Sequence, residues 1–123
     1  NFLFEARSLD NGVTWSEPQR SPLVGHNAPA GLWRLQDHPQ EIIVVWNHSP
    51  LVRHPLSVAI AADGGRSWSL PRDIADSDGP AVSYPNITQA ADGTIIAVWQ
   101  AQRADGGRDI RYARFTRDWV LGR

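Results

Sequence analysis

A nine-residue pattern occurs twice in the chain, and the spacing of its two copies limits the folds that the sequence can adopt. Residues 8–16 read SLDNGVTWS and residues 61–69 read AADGGRSWS, so both contain Asp-x-Gly-x-Ser/Thr-Trp-Ser. Asp10 and Asp63 are 53 positions apart, and EIIVVWN at 41–47 returns as TIIAVWQ at 94–100 with the same spacing. A repeat of roughly this length with several strands in each unit is typical of the blades of a β-propeller.

Strand patterns account for most of each repeat. Short apolar runs alternate with turn residues and few segments have helical periodicity, which predicts an all-β fold. The complete unit is expected to be a four-stranded antiparallel meander, with strands near residues 31–36, 41–47, 55–62 and 67–74. A strand near 2–7 and a short strand after the first pattern would end the preceding unit. A strand near 84–89 would begin the following one, which stops near residue 119.

These units predict that residues 1–123 are a segment of one β-propeller domain, with the end of one blade, one complete blade and most of a third. A single blade cannot bury both of its faces, because each face needs a neighbouring blade. We therefore expect the chain to need further sequence or to associate with copies of itself, for example as a trimer.

The repeated pattern itself predicts a structural hairpin turn. An Asp followed by Asn-Gly or Gly-Gly favours a tight turn, since the carboxylate accepts hydrogen bonds from turn N–H groups and glycine adopts positive φ without steric cost. The tryptophan that follows is expected to bury its ring and hold the hairpin against its blade. Structural roles are therefore predicted for Asp10, Gly12, Trp15, Asp63, Gly65 and Trp68.

Composition excludes several classes of site. The net charge of −1 gives no general attraction to nucleic acid or to an anionic membrane surface, and no apolar run approaches the length of a membrane span. Cysteine is absent and the four histidines lack metal-ligand spacing, so neither a metal site nor another cofactor is expected. The compartment is not identified by the sequence, and a secreted or periplasmic location remains open.

The chain resembles the sialidase, or neuraminidase, superfamily of six-bladed β-propellers, whose Asp-box (BNR) repeats are similar to the two nine-residue patterns. The stretch WNHSPLVRHPLSVAIAADGGRSWS at 46–69 is similar to the sialidase segment in which an Asn-containing strand end precedes an arginine. The stretch SYPNITQAADGTIIAVWQ at 83–100 is similar to the segment with the nucleophilic tyrosine. The resemblance covers nearly the whole chain but only about the C-terminal half of a complete sialidase domain.

The resemblance implies an exo-glycosidase that acts on terminal sialic acid or a related acidic sugar. It matches Tyr84 to the nucleophile and Arg53 to the last of three arginines that bind the substrate carboxylate. The general base Glu, the acid Asp and the other two arginines would lie before residue 1, so the isolated segment is expected to be inactive. Gln100 stands where sialidases typically have a Glu that supports an arginine, which favours a divergent sialidase-like hydrolase.

The chemistry of such a substrate explains the residue types. Sialic acid carries a carboxylate on its anomeric carbon, so an approaching carboxylate nucleophile is repelled, whereas a phenol is neutral until it loses its proton. The ordinary phenol pKa is near 10, so a base must remove that proton. An arginine such as Arg53 can hold the substrate carboxylate through a bidentate, charge-assisted pair of hydrogen bonds.

Strand parity gives a test of this site that does not depend on the resemblance. In a meander, the loop after the second strand lies at the same end of the blade as the start of the next unit's first strand, and both nine-residue patterns lie at the other end. Arg53 and Tyr84 are therefore predicted to share one end. Four further side chains are candidates for substrate binding there: Asn47, His48, Arg108 and Arg111.

A function from a different class is also compatible with the sequence. A non-catalytic Asp-box propeller that binds glycans or proteins would show the same repeats and turns. The two alternatives differ in whether an acid, a base and two more arginines complete the site.

Overall fold

The computed structural model describes residues 1–76 and 79–123. Over these residues the chain forms nine strands and one short helix. The elements are β1 Phe2–Glu5, β2 Gln19–Val24, β3 Gly31–Arg34, β4 Ile42–Asn47, β5 Leu56–Ala61, β6 Arg72–Ala75, β7 Ala81–Gln89, β8 Ile95–Gln102, β9 Arg108–Phe115 and α1 Arg117–Val120.

The strands form three antiparallel sheets in chain order. A first sheet pairs β1 with β2, a middle sheet has the order β3-β4-β5-β6, and a third sheet has the order β7-β8-β9. Within each sheet every strand pairs with the one that follows it, so the middle sheet is a four-stranded meander. The prediction of an all-β fold of antiparallel sheets is confirmed.

Two strands begin well away from their predicted starts. The last strand of the middle sheet was expected at 67–74 but begins at Arg72, because Ser67 and Ser69 take part in the preceding turn. Ser69 accepts a hydrogen bond from the Ile60 N–H on its Oγ and donates its own N–H to the Ile60 carbonyl. The first strand of the third sheet begins at Ala81 rather than at Tyr84, since residues 81–83 already pair with β8.

The core lies on both faces of the middle sheet, because successive side chains of a strand point to opposite faces. Ile43 and Val45 on β4 pack in one apolar cluster with side chains of the third sheet. Val44 and Trp46 pack on the other face with Leu23 of the first sheet. The middle sheet is therefore covered on both sides, as the near-continuous burial of β4 and β5 requires.

The outer faces of the three sheets are more exposed to solvent. Leu32 pairs with Val44 and so shares its face, yet it is 63% exposed because the two-stranded first sheet does not reach β3. On the third sheet, Val98 pairs with Tyr112, and Ile110 lies two residues along β9 from that pair. Ile110 and Tyr112 are 80% and 68% exposed. In the described part of the chain, Val98, Ile110 and Tyr112 thus form an exposed apolar patch on this face of the third sheet.

The turns at residues 8–16 and 61–69 have closely similar geometry. The Asp10 carboxylate accepts hydrogen bonds from the N–H and the hydroxyl of Thr14, at 2.8 and 2.6 Å. The Asp63 carboxylate accepts the equivalent pair from Ser67. These bonds lower the pKa of both carboxyl groups, that of Asp10 to about 2. Asn11 and Gly12 have positive φ in the first turn, as do both glycines at 64–65 in the second, so a structural role for each Asp fits the observed contacts.

The two tryptophans of these turns differ in burial. Trp68 packs against the cluster between the first and middle sheets, as expected. Trp15 is 64% exposed, and its indole N–H donates to the carbonyl of Gly12 within its own turn. The prediction that Trp15 buries its ring against a blade was wrong, because the two-stranded first sheet offers no surface comparable to the four-stranded middle sheet.

Candidate functional site

The loop between β4 and β5, residues 48–55, carries Arg53 at one end of the middle sheet. The backbone carbonyl of Arg53 accepts a hydrogen bond of 2.9 Å from the N–H of Val82, so this loop is joined to the beginning of β7. The Arg53 guanidinium donates from Nη2 to the carbonyl of Asn27 at 2.7 Å. Arg53 is half-buried. Its guanidinium is held by the Asn27 carbonyl, and its backbone is held by the Val82 N–H.

Tyr84 lies on a β-bulge in β7. Ser83 pairs with Gln100 and Asn86 with Val98, so Tyr84 and Pro85 together oppose a single residue of β8. Tyr84 has φ of 54°, in the left-handed region that a bulky side chain rarely adopts. Proline at the next position has no N–H to leave unpaired in the interrupted ladder. Bulges and strained backbone of this kind re-aim side chains and cluster at functional sites, and here the tyrosine side chain is 57% exposed.

Arg53 and Tyr84 are brought together at this end of the sheets. The guanidinium carbon of Arg53 lies 5.3 Å from the centroid of the Tyr84 ring. Hydrogen bonding to Arg53 and the positive charge of that side chain lower the pKa of the Tyr84 phenol, and Arg108 adds a smaller effect of the same sign. The arrangement favours the phenolate, which is the form that can act as a nucleophile.

Asn47 is the last residue of β4 and His48 follows it at the same end, but the two differ in exposure. Asn47 is 2% exposed, and its side-chain amide donates to the carbonyl of Val82 at 2.8 Å. His48 is half-buried and packs its ring against that of Trp46, with 5.3 Å between centroids. Asn47 therefore lies beneath the surface, a position that does not favour direct contact with a sugar. Substrate binding by either residue stays a prediction.

The two candidate arginines of β9, Arg108 and Arg111, also differ. Arg108 is exposed and acts on the phenol of Tyr84. Arg111 is half-buried, and its Nη2 lies 3.4 Å from a carboxylate oxygen of Asp109. Asp109 is also paired with Arg103 at 2.6 Å. Arg108 is the member of this pair that the fold brings to Tyr84, whereas the Arg111 guanidinium contacts a carboxylate of its own strand.

The turns of the repeated pattern lie at the opposite end of the middle sheet from this site. The turn at 61–69 follows the end of β5, whereas loop 48–55 precedes its beginning, so the six residues of β5 separate the two. The first turn is near the second, since Arg7 donates to the carbonyl of Gly64 at 2.6 Å. Asp10 and Asp63 are therefore remote from Tyr84.

Sequence reasoning missed three backbone groups of this site. The Asn27 carbonyl orients Arg53, the Val82 N–H binds loop 48–55, and the Val82 carbonyl accepts from Asn47 at the end of β4. Backbone contacts leave no side-chain signature, so no motif could have identified them. The Tyr-Pro pair at 84–85 is a signal of the bulge, because proline in a paired strand is found mainly at bulges and edges.

Metal and membrane sites were also sought. Across residues 1–76 and 79–123, no cluster of three or more His, Cys, Asp or Glu side chains has a geometry that could hold a metal ion. Helix α1, the one helix in the described part of the chain, is four residues long, and no helix there could cross a lipid bilayer.

We predict that Arg53 controls the ionisation of Tyr84. The chain has two tyrosines, so Tyr112→Phe leaves Tyr84 as the sole phenol, and ultraviolet difference titration then reports its pKa. In that background Arg53→Gln should raise the pKa of Tyr84 toward the ordinary value near 10. Arg34→Gln is the matched control, because Arg34 also donates to a backbone carbonyl, that of Pro39. Identical titration curves for the parent and Arg53→Gln would contradict the prediction.

The fold is that of an all-β protein formed from repeated antiparallel sheets. An exposed tyrosine and an arginine lie at one end of the sheets, and the Asp-containing turns lie at the other. A model of the BNR repeat-like domain matches residues 1–98, so the chain belongs to the BNR repeat-like family. The resemblance to BNR-repeat proteins is thereby confirmed.

Comparison with solved structures supports the fold. Twenty-seven chains match, and one of them is the intramolecular trans-sialidase from Ruminococcus gnavus, solved in complex with oseltamivir carboxylate. Its TM-score is 0.73 at 18% sequence identity, and the match covers 98% of this chain and 29% of the trans-sialidase. The chain therefore spans less than a third of that protein. No curated protein matches the sequence.

Proposed function

We propose that this chain is part of a sialidase-like glycoside hydrolase that removes terminal sialic acid or a related acidic sugar. The observation that carries the proposal is the pairing of Tyr84 with Arg53: an exposed phenol on a strained bulge, with its pKa lowered by an adjacent guanidinium. The similarity of the fold to the Ruminococcus gnavus intramolecular trans-sialidase adds support.

The proposed architecture is a six-bladed β-propeller. The sheets of two, four and three strands would be the end of one blade, one complete blade and most of a third. Leu32 and the outer face of the third sheet, with Ile110 and Tyr112, would then pack against blades formed by further sequence. Apolar sheet faces of this kind are unfavourable in water and are normally covered, which agrees with a larger domain or with self-association.

Each residue has a specific task in the proposed reaction. Arg53 binds the substrate carboxylate through two parallel N–H···O bonds and so orients the sugar ring. The Tyr84 oxygen attacks the anomeric carbon, the bond to the leaving oxygen breaks, and that oxygen takes a proton from a general acid. The phenol proton goes to a general base. Water then hydrolyses the tyrosyl-sugar bond and regenerates the free phenol.

The acid, the base and two more arginines are proposed to lie outside residues 1–123. Within the described residues, the charged groups that lower the pKa of Tyr84 are Arg53 and Arg108, and the proposal assigns the base to sequence outside the 123 residues. The 123 residues alone should therefore bind an acidic sugar weakly and not hydrolyse it.

The same observation favours a second candidate function, a propeller that binds acidic glycans without catalysis. Arg53 and Arg108 would bind the sugar acid, and Tyr84 would contact the ring. In this case no general base is needed. A neutral Gln100 in place of the Glu that is typical of sialidases does not impair such a function.

An activity assay on the protein that contains this chain and the rest of its domain tests the proposal. We expect turnover of a fluorogenic sialoside and none of a matched neutral glycoside, because Arg53 requires an anionic group. Binding of the sialoside without turnover would favour the glycan-binding function, and neither binding nor turnover would contradict both.

A further inference from the structure

Val82 connects the two parts of the candidate site. Its N–H donates to the Arg53 carbonyl at 2.9 Å, and its own carbonyl accepts from the Asn47 amide at 2.8 Å. Val82 lies two residues before Tyr84, immediately ahead of the bulge. The strand that carries the phenol is thus joined to the segment that carries the guanidinium at this residue.

Asn47 is unusual because only one side of its amide is satisfied. The side chain is 2% exposed, and in the described part of the structure its Oδ1 is buried without a hydrogen-bond partner. Leaving a buried acceptor unpaired costs about 1–3 kcal/mol. An apolar side chain of similar shape would avoid that cost. The feature that requires an asparagine here is therefore the amide donor, which bonds the Val82 carbonyl at 2.8 Å and the Pro55 carbonyl of loop 48–55 at 3.5 Å.

We propose that Asn47 is a positioning residue for the Tyr84–Arg53 pair, holding the start of β7 against loop 48–55 so that phenol and guanidinium stay in contact. This inference rests on the proposed function of that pair. Arg53 has its own anchor on the Asn27 carbonyl. Without the Asn47 bond, the start of β7 keeps the hydrogen bond from the Val82 N–H to the Arg53 carbonyl but loses its second link. It can then shift relative to the guanidinium, which stays on Asn27.

The expected displacement is small but matters for chemistry. Residues 81–83 stay paired with β8, and the pairing is interrupted only after them, between Ser83 and Asn86. Tyr84 lies in that interruption, so a small shift of β7 relative to loop 48–55 changes the position of the phenol. A misplacement of about 1 Å in a reacting group can lower a rate by about 100-fold.

Gln89 provides a matched control at the other end of β7. It too is a buried side-chain amide, 6% exposed, that joins the third sheet to the middle one. Its Oε1 accepts from the N–H of Gln36 at 2.7 Å, and its Nε2 donates to Asp37 and to the carbonyl of Gly93. Loss of either amide should destabilise the fold, but only loss of the Asn47 amide should change the pKa of Tyr84.

The experiment compares Asn47→Leu with Gln89→Leu in the Tyr112→Phe background. Ultraviolet titration should show that Asn47→Leu raises the pKa of Tyr84 toward the value in Arg53→Gln, while Gln89→Leu leaves it at the parent value. The charged groups that act on this phenol are Arg53 and Arg108, and neither is changed. In the longer protein, kcat should fall by about 100-fold for Asn47→Leu and remain at the parent value for Gln89→Leu.

The outcomes separate this inference from the proposed function. If the pKa of Tyr84 in the parent protein has its ordinary value, the proposed interaction between Tyr84 and Arg53 is contradicted. A lowered pKa that rises in Arg53→Gln but not in Asn47→Leu would overturn the role of Asn47 alone. If Asn47→Leu does not fold, NMR of the parent decides, since the Asn47 side-chain amide signal should follow the titration of Tyr84 and that of Gln89 should not. If the Asn47 amide signal does not change as Tyr84 titrates, the inference is overturned.

Discussion

Replacing Tyr84 by phenylalanine is expected to lower kcat of the longer protein by about 1,000-fold or more while changing KM little. The substitution removes only the phenol oxygen, so the ring remains on its bulge and Arg53 keeps its hydrogen bond to the Asn27 carbonyl. Loss of a covalent nucleophile typically costs several orders of magnitude in rate. Steady-state kinetics with a fluorogenic sialoside measure both constants.

Tyr112→Phe is the control for this prediction. Tyr112 is the other tyrosine of the chain, is 68% exposed and lies on the outer face of the third sheet. Its substitution should leave kcat at the parent value. Equal turnover by Tyr84→Phe and Tyr112→Phe would remove Tyr84 from the mechanism.

Replacing Arg117 by alanine is expected to lower the free energy of unfolding by about 2–4 kcal/mol. Arg117 begins α1 and donates from Nε and Nη2 to the two carboxylate oxygens of Glu41, each at 2.6 Å. The two side chains are 18% and 11% exposed. The substitution leaves the Glu41 carboxylate in a largely buried position without its cation. Urea unfolding followed by circular dichroism measures the change.

Arg103→Ala separates this effect from the general loss of an ion pair. Arg103 pairs with Asp105 and Asp109 at 3.1 and 2.6 Å, but its side chain is 44% exposed. Exposed pairs contribute about 1 kcal/mol or less. If both variants lose the same stability, the Glu41–Arg117 pair does not hold α1 on the middle sheet.

The stability difference for Arg117→Ala should also depend on pH. Hydrogen bonding to Arg117 lowers the pKa of Glu41 in the folded protein. A carboxyl group of this kind adds stability at pH values above its unfolded pKa, about 4.3, and the contribution is lost as the pH falls through the folded pKa. The difference between the parent and Arg117→Ala should therefore be largest near neutral pH and shrink below about pH 4.

The parts of the fold that were predictable depend on local sequence. Hairpin turns at Asp10 and Asp63 follow from the residues that form them, since carboxylate, hydroxyl and glycine lie within a few positions of one another. Strand parity depends only on the order of strands and loops, and it was sufficient to expect Arg53 near Tyr84, as the structure has them.

The parts that were not predictable depend on contacts between segments far apart in the chain. Burial of Trp15 depends on a neighbouring sheet wide enough to cover it, which the pattern at 8–16 cannot report. The role of Asn47 requires the Val82 carbonyl, 35 positions away. The left-handed backbone of Tyr84 results from a mismatch in register between two strands, and only the proline at position 85 hints at it.

Covalent trapping tests the central claim most directly. An acidic sugar with fluorine beside the anomeric carbon and a good leaving group should let Tyr84 attack while slowing hydrolysis of the product. Mass spectrometry of the longer protein should then show one added sugar on the peptide that contains Tyr84, and none in Tyr84→Phe. Turnover of the sialoside with the added sugar on another residue, or on none, would contradict the account.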